Sequence, residues 1–146
     1  MTFKHTVLLV DDERENLTLL ANVLGDDYFI HKSRNPEEAL AFASSRTVHL
    51  VISDQRMPHM SGVQLLARIR EVKPDAVRIL ITAYPDVNVA VDAINRGQVK
   101  RYVNKPFDPD ELRVVVRQEL ETYELAQSNR RLGNELSRVV EELLRV

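Results

Sequence analysis

Three nearly unbroken apolar strings, Val7-Leu8-Leu9-Val10, Leu50-Val51-Ile52 and Ile79-Leu80-Ile81, constrain the fold of this chain more than any other feature. A strand with one wet face alternates apolar and polar residues, and these strings leave no polar face. They fit strands covered on both sides, as in a parallel sheet between helical layers. Five runs in all are expected as strands: Thr6–Val10, Tyr28–His31, Leu50–Ser53, Ile79–Thr82 and Tyr102–Asn104. Amphipathic stretches with recognisable helix starts separate them. Asn35-Pro36-Glu37-Glu38 and Asp108-Pro109-Asp110-Glu111 each offer a capping side chain, a proline at the first helical position and an acid in the first turn. Gly62 precedes Val63-Gln64-Leu65-Leu66-Ala67-Arg68-Ile69, whose apolar residues recur at helical spacing, and Pro74 ends that helix. The order βαβαβαβαβα predicts an open α/β sheet.

The last helix is too long for such a sheet. No proline interrupts Pro109 to Val146, which as one helix spans about 57 Å. In its distal half Leu125, Asn129, Leu132, Leu136, Val139, Leu143 and Val146 alternate in steps of four and three, the spacing of a coiled-coil seam. Asn129 at such a position commonly fixes register and favours two strands. Gly133 weakens the helix by about 1 kcal/mol. The expected organisation is a domain over residues 1–122 and a helical extension over 123–146, with homodimerisation through the extension. An amphipathic helix folding back on another domain would carry the same stripe. The uncapped end of the helix suggests the amino-terminal piece of a longer regulator.

Composition narrows the function by exclusion. There are no cysteines, so neither disulfides nor thiolate metal sites are available. The formal charge is −2 with acids and bases interspersed, so no direct nucleic-acid binding by these residues is expected. The apolar runs fall short of the roughly 18 residues that a membrane span needs. No secretory signal is visible, and the cytoplasm is the expected compartment.

The reactive residue types cluster where such a sheet binds ligands, beyond the carboxyl ends of its strands. Asp11 and Asp12 close the first run, Asp54 follows the third, Thr82 closes the fourth and Lys105 follows the fifth. Three carboxylates in one crevice repel, so either a proton or a cation must join them. An oxygen-only site with room for water suits Mg²⁺ or Mn²⁺. Such an ion neutralises charge during phosphoryl transfer, and Asp54 has the chemistry of a nucleophile that forms an aspartyl phosphate. A lysine ammonium and a threonine hydroxyl supply donors for phosphoryl oxygens.

Four blocks together resemble the receiver domain of two-component response regulators: Val7-Leu8-Leu9-Val10-Asp11-Asp12-Glu13, Asp54-Gln55-Arg56-Met57-Pro58 with Gly62, Thr82-Ala83, and Tyr102-Val103-Asn104-Lys105-Pro106-Phe107. The resemblance covers about residues 5 to 122. It implies a flavodoxin-like, doubly wound five-stranded parallel sheet of order 2-1-3-4-5. It also implies a phosphorylation-dependent switch served by a sensor histidine kinase or phosphotransfer protein. By position, Asp54 resembles the phosphoacceptor, Asp12 the direct metal ligand, Asp11 its partner, and Arg56 the residue lending a backbone carbonyl to the metal. Thr82 and Lys105 match the residues that bind the phosphoryl oxygens, and Tyr102 the aromatic that turns inward on activation. The Lys105-Pro106 bond resembles the family's cis peptide, and Arg56 and Tyr84 occupy positions that tend to set the hydrolysis rate. Ser61 departs from the Asp or Asn frequent before the glycine, which is expected to alter the loop and not the chemistry. Arg96-Gly97-Gln98-Val99-Lys100-Arg101 replaces a small-residue turn and alters the signalling face.

Each residue alone has a plainer reading: Asp11 and Asp12 as caps, Thr82 as a strand threonine, Tyr102 as a half-buried aromatic. His5, His31, His49 and His59 read as surface or packing residues, and Arg113, Arg117, Arg130, Arg131, Arg138 and Arg145 as a solvated helix face. A phosphatase of the haloacid-dehalogenase type would want a second aspartate where Arg56 stands, so the chain is expected to be a switch and not an enzyme acting on other substrates. A degenerate receiver serving as an unphosphorylated interaction scaffold is the alternative, against which the complete acid, threonine and lysine set argues.

Overall fold

The computed structural model describes residues 4–84, 86–97 and 99–145. Five parallel strands, β1 (Thr6–Val10), β2 (Phe29–Ser33), β3 (Leu50–Asp54), β4 (Val77–Thr82) and β5 (Arg101–Asn104), form one sheet of order β2-β1-β3-β4-β5. The helices are α1 (Arg14–Leu24), α2 (Pro36–Ser45), α3 (Gly62–Val72), α4 (Val87–Asp92) and α5 (Pro109–Leu144). The flavodoxin-like order expected from the sequence is the order observed.

The apolar strings are explained by the two layers. Val7 and Leu9 of β1 face α1 and α5 beside Leu17, Leu20, Leu112, Val116 and Leu120. Leu8 and Val10 face the opposite layer beside Ala39, Val63, Leu66 and Ile69. Every other residue of a strand turns to the opposite face, so a sheet covered on both sides needs apolar residues at consecutive positions. Each fully buried Leu or Ile contributes about 1.5–3 kcal/mol.

Several ends differ from the sequence expectation. Strand β2 begins at Phe29 and not Tyr28, which stands before it and packs partly buried against the α1–α5 layer. Strand β4 begins two residues early, at Val77, and includes Arg78, a buried charge inside an otherwise apolar strand. Helix α4 has no buried residue and ends in a five-residue π-helical turn, Ala93–Gly97. The substituted turn before β5 joins the sheet through Lys100, whose N–H donates to the Arg78 carbonyl at 2.8 Å; Gln98 lies outside the described residues.

Helix α5 continues as one long helix well past its last buried residue. Leu112, Val116 and Leu120 are buried, whereas Leu125, Leu132, Leu136, Val139 and Leu143 are exposed by 46–69%. Val146, the last position of the seam, lies outside the described residues. Among the described residues no helix is long and apolar enough to cross a membrane.

Candidate phosphoacceptor site

The sheet's carboxyl edge gathers the site because parallel strands end together. Asp11 follows β1, and its N–H donates to the Ser33 carbonyl of β2 at 3.1 Å. Asp54 is the last residue of β3 and pairs in register with Ile81, next to Thr82. Lys105 extends the β4–β5 ladder by one bond, its N–H donating to the Thr82 carbonyl at 2.8 Å. The Lys105–Pro106 peptide that follows is cis.

The side chains meet as the sequence predicted. One carboxylate oxygen from each of Asp11, Asp12 and Asp54 lies within 4.8 Å of the others. Lys105 Nζ spans two of them, 3.1 Å from Asp11 Oδ2 and 3.4 Å from Asp54 Oδ1. Asp11 is fully buried, and its Oδ1 also accepts the Glu13 N–H at 2.9 Å. Burial pushes the Asp54 carboxyl above its ordinary range; the Asp11 carboxylate adds to this, and Lys105 opposes it. Burial alone would depress the Lys105 ammonium, but the Asp54 and Asp11 carboxylates outweigh it and hold the lysine above its ordinary value. Three carboxylates with one ammonium retain negative charge, and all the donors are hard oxygens. That set fits a small divalent cation.

Around this core the other expected residues hold distinct places. Thr82 is buried, and its Oγ1 accepts the Tyr84 N–H at 3.1 Å. The Arg56 guanidinium stands over the Tyr84 ring, with Cζ 3.9 Å from the centroid. Tyr102 packs against the layer containing Leu80, Met57 and Val89, and its buried hydroxyl has no hydrogen-bond partner.

Three supporting residues escaped the sequence reading. Ser61 is the N-cap of α3: its hydroxyl accepts the Gln64 N–H, while Gln64 Oε1 accepts the Ser61 N–H. This reciprocal box is visible as Ser-x-x-Gln and was a usable signal. Gln55 Oε1 accepts the Val63 N–H at 3.0 Å, and the Gln55 carbonyl accepts the Gly62 N–H at 3.0 Å. Residue 55 thus ties the segment after Asp54 to the start of α3. His59, with φ of 72°, is the centre of a tight turn in which the Met60 N–H donates to the Pro58 carbonyl at 2.8 Å. A non-glycine residue in that region is strained, and nothing in residue type predicted it there.

Comparison with known proteins agrees with the geometry. Residues 7–117 match the response regulator receiver domain. The hydrogenase transcriptional regulatory protein HoxA of Bradyrhizobium diazoefficiens is 34% identical over 133 residues, covering 91% of this chain and 27% of that protein. Regulatory protein AtoC of Escherichia coli is 34% identical over 138 residues, covering 94% of this chain and 30% of that protein. The chain therefore spans less than a third of these relatives. Among solved structures, the signal receiver domain of an HD domain-containing protein from Pseudomonas fluorescens superposes with a TM-score of 0.80 at 40% identity, covering 84% of this chain and 98% of that one. NtrX from Brucella abortus gives 0.81 at 27% identity, over 96% of this chain and 34% of that one. With the fold, the acid crevice and the match in agreement, the chain belongs to the response regulator receiver domain family, and with it to phosphorylation-dependent signalling.

Proposed function

We propose that this chain accepts a phosphoryl group on Asp54 and passes the change along α5 to a second copy or an output domain. The observation that carries the reading is the convergence of Asp11, Asp12, Asp54 and Lys105 at one edge of the sheet. A carboxylate oxygen of Asp54 attacks the phosphorus of a phosphohistidine on a sensor kinase or phosphotransfer protein. The new O–P bond forms as the P–N bond breaks, and the imidazole nitrogen leaves with the electron pair. Asp11, Asp12, Asp54 and the Arg56 carbonyl would hold Mg²⁺ or Mn²⁺, which when bound supplies charge neutralisation at the phosphoryl oxygens. Lys105 and the Thr82 hydroxyl donate to those oxygens. Movement of Thr82 toward the phosphoryl group frees volume beside Tyr102, and the repacking biases two states of the α4–β5–α5 face. A depression lined by Leu19, Lys105, Pro106 and Phe107 supports docking of an apolar donor surface. Arg56 and Tyr84 regulate water access to the phosphoryl group.

The exposed stripe of α5 supports homodimerisation through the extension, with residues 1–122 as the receiver and 123–146 as the linking helix. On this reading the protein works in the cytoplasm and catalyses only its own phosphoryl transfer and dephosphorylation. Acetyl phosphate with Mg²⁺ should label the chain, as read by intact mass; Asp54→Asn or chelation of the metal should abolish the label. An Asp54→Asn protein labelled as fast as the unaltered chain would refute the assignment. Truncation after Glu124 that left self-association unchanged would refute the role of the extension in pairing.

A further inference from the structure

Beyond its last fully buried residue, Leu120, helix α5 does not separate from the body at once. Tyr123 packs partly buried at the amino-terminal edge of the sheet, edge-on to His49 with ring centroids 5.5 Å apart and to His5 at 6.4 Å. Glu124 Oε1 lies 2.9 Å from His5 Nε2. Two turns further on, Arg130 makes a two-pronged pair with Asp75, Nη1 to Oδ2 at 2.7 Å and Nη2 to Oδ1 at 3.1 Å. Gln127 lines the same depression as Asp75, Tyr123 and Arg130. Arg130 is thus not part of a purely solvated face.

The acid on the other side of this contact is held in place. Asp75 stands in the loop between α3 and β4. The buried Arg78 guanidinium gathers that loop, donating through Nη1 to the Ala76 carbonyl at 2.9 Å and the Pro74 carbonyl at 3.2 Å. A charge buried inside a strand is costly; here it fixes a loop of four residues whose exposed acid meets a helix more than fifty residues away in sequence. Hydrogen bonding from Arg130 is also the leading cause holding the Asp75 carboxyl below its ordinary range.

The phase of these contacts is informative. At about 100° per residue, Gln127 and Arg130 lie within about 40° of Tyr123 around the helix, continuing the face of Leu112 and Val116. Leu125, Leu132, Leu136, Val139 and Leu143 lie about 160–220° away. The body therefore grips one side of the extension and leaves the apolar stripe on the other.

We propose that the α3–β4 loop is a cleat that sets the rotational phase of the α5 extension through Asp75 and Arg130. The cleat carries the grip of the body two turns past its core and turns the stripe outward. It concerns one chain holding its own helix, so a monomer with the cleat intact satisfies it, and a failure of pairing leaves it standing.

The test is an intramolecular distance distribution by pulsed electron resonance. Nitroxides on Arg68→Cys in α3 and Ser137→Cys in α5, both exposed positions, are the only thiol labels because the chain has no cysteine. Excess unlabelled chain removes distances between copies. The unaltered pair should give one narrow distribution. Asp75→Asn and Arg130→Gln should each raise the broad, released component about two- to five-fold, the equivalent of one exposed ion pair. Arg131→Gln, one position round the helix, should leave the distribution unchanged. Asp75→Asn does not touch α5, so it carries the test even if Arg130→Gln weakens the helix. An Asp75→Asn distribution as narrow as the original, or an Arg131→Gln distribution as broad as that of Arg130→Gln, would overturn the proposal.

Discussion

Gly62 lies directly against the backbone of Asp54: a β-carbon at position 62 would stand 2.2 Å from the Asp54 carbonyl oxygen and 2.7 Å from Leu80 Cδ1. The first contact is with backbone, which cannot swing aside. Gly62→Ala must therefore displace either Asp54 or the start of α3. A loss of about 1–3 kcal/mol of stability and a slower acetyl phosphate reaction are expected together. Denaturant unfolding and mass-based labelling measure the two effects, and an alanine variant unchanged in both would show that the backbone yields freely.

Lys105 occupies the same crevice that would receive the cation. Replacing it with methionine removes a positive charge that competes for Asp11 and Asp54 and a donor for phosphoryl oxygens. The two consequences have opposite signs. Divalent affinity should rise by about tenfold, equivalent to 1.4 kcal/mol of removed repulsion, while labelling of Asp54 slows. Calorimetric titration with Mg²⁺ separates them; weaker Mg²⁺ binding by Lys105→Met would contradict the competition.

The stacked pair Arg56 and Tyr84 joins the loop after β3 to the loop after β4 across the mouth of the site. An exposed cation–π contact contributes about 0.5–1 kcal/mol. Tyr84→Ala releases Arg56 and admits water, so the phosphorylated protein should lose its label about two- to five-fold faster. The decay of the labelled mass after removal of the donor reports the rate, and a decay equal to that of the unaltered chain would mean the stack does not screen Asp54.

A buried hydroxyl without a partner lowers stability. Tyr102→Phe deletes it from a site whose apolar walls stay in place, and should raise the unfolding free energy by about 1 kcal/mol. The gain belongs to the unphosphorylated form. If the hydroxyl finds a partner on phosphorylation, the gain should shrink once Asp54 is labelled, which thermal unfolding with and without acetyl phosphate can compare.

His49 gives the fold a pH dependence on the acid side. Its Nδ1 accepts the Thr6 N–H at 2.9 Å and so must carry no proton. Burial, then the neighbouring His5, hold the imidazole below its ordinary value, with Glu124 opposing. Between the depressed folded value and the ordinary value near 6.5 the unfolded chain binds more protons. The contribution is therefore complete above that ordinary value and declines as pH falls below it. His49→Gln should flatten the stability difference between about pH 7.5 and about pH 5.5, and an equally steep dependence in the variant would assign it elsewhere.

The sequence carried the site better than its supports. Val7 through Val10 and Leu50 through Ile52 announce strands because two covered faces leave no polar position, and the acids at their ends then fall together by topology. Arg78 hid the true start of β4, since a charge in a strand reads as its boundary unless the carbonyls that receive it are known. The π-helical turn at Ala93–Gly97 leaves no compositional mark. Arg130 looked solvated because its partner, Asp75, lies in a loop two strands and a helix earlier in the chain. Gly62 was readable as a helix start, but the closeness of Asp54 to its α-carbon is a fact of packing. Ser61 was weighed only for the residue it replaces, while its own capping role with Gln64 stood in plain view.

Helix α5 runs opposite to the strands, so it begins beside Lys105 and passes His5, His49 and Asp75 at the other pole. From Pro109 to Arg130 that path is about 32 Å of continuous hydrogen-bonded backbone. A rod of this kind is stiff along its length, so a slide or twist imposed at one pole arrives at the other without being handed through intermediate side chains. On the proposed function the domain is in this sense an axle with its bearing at the far end, and the bearing surface, more than the sheet between, would decide how faithfully motion is delivered.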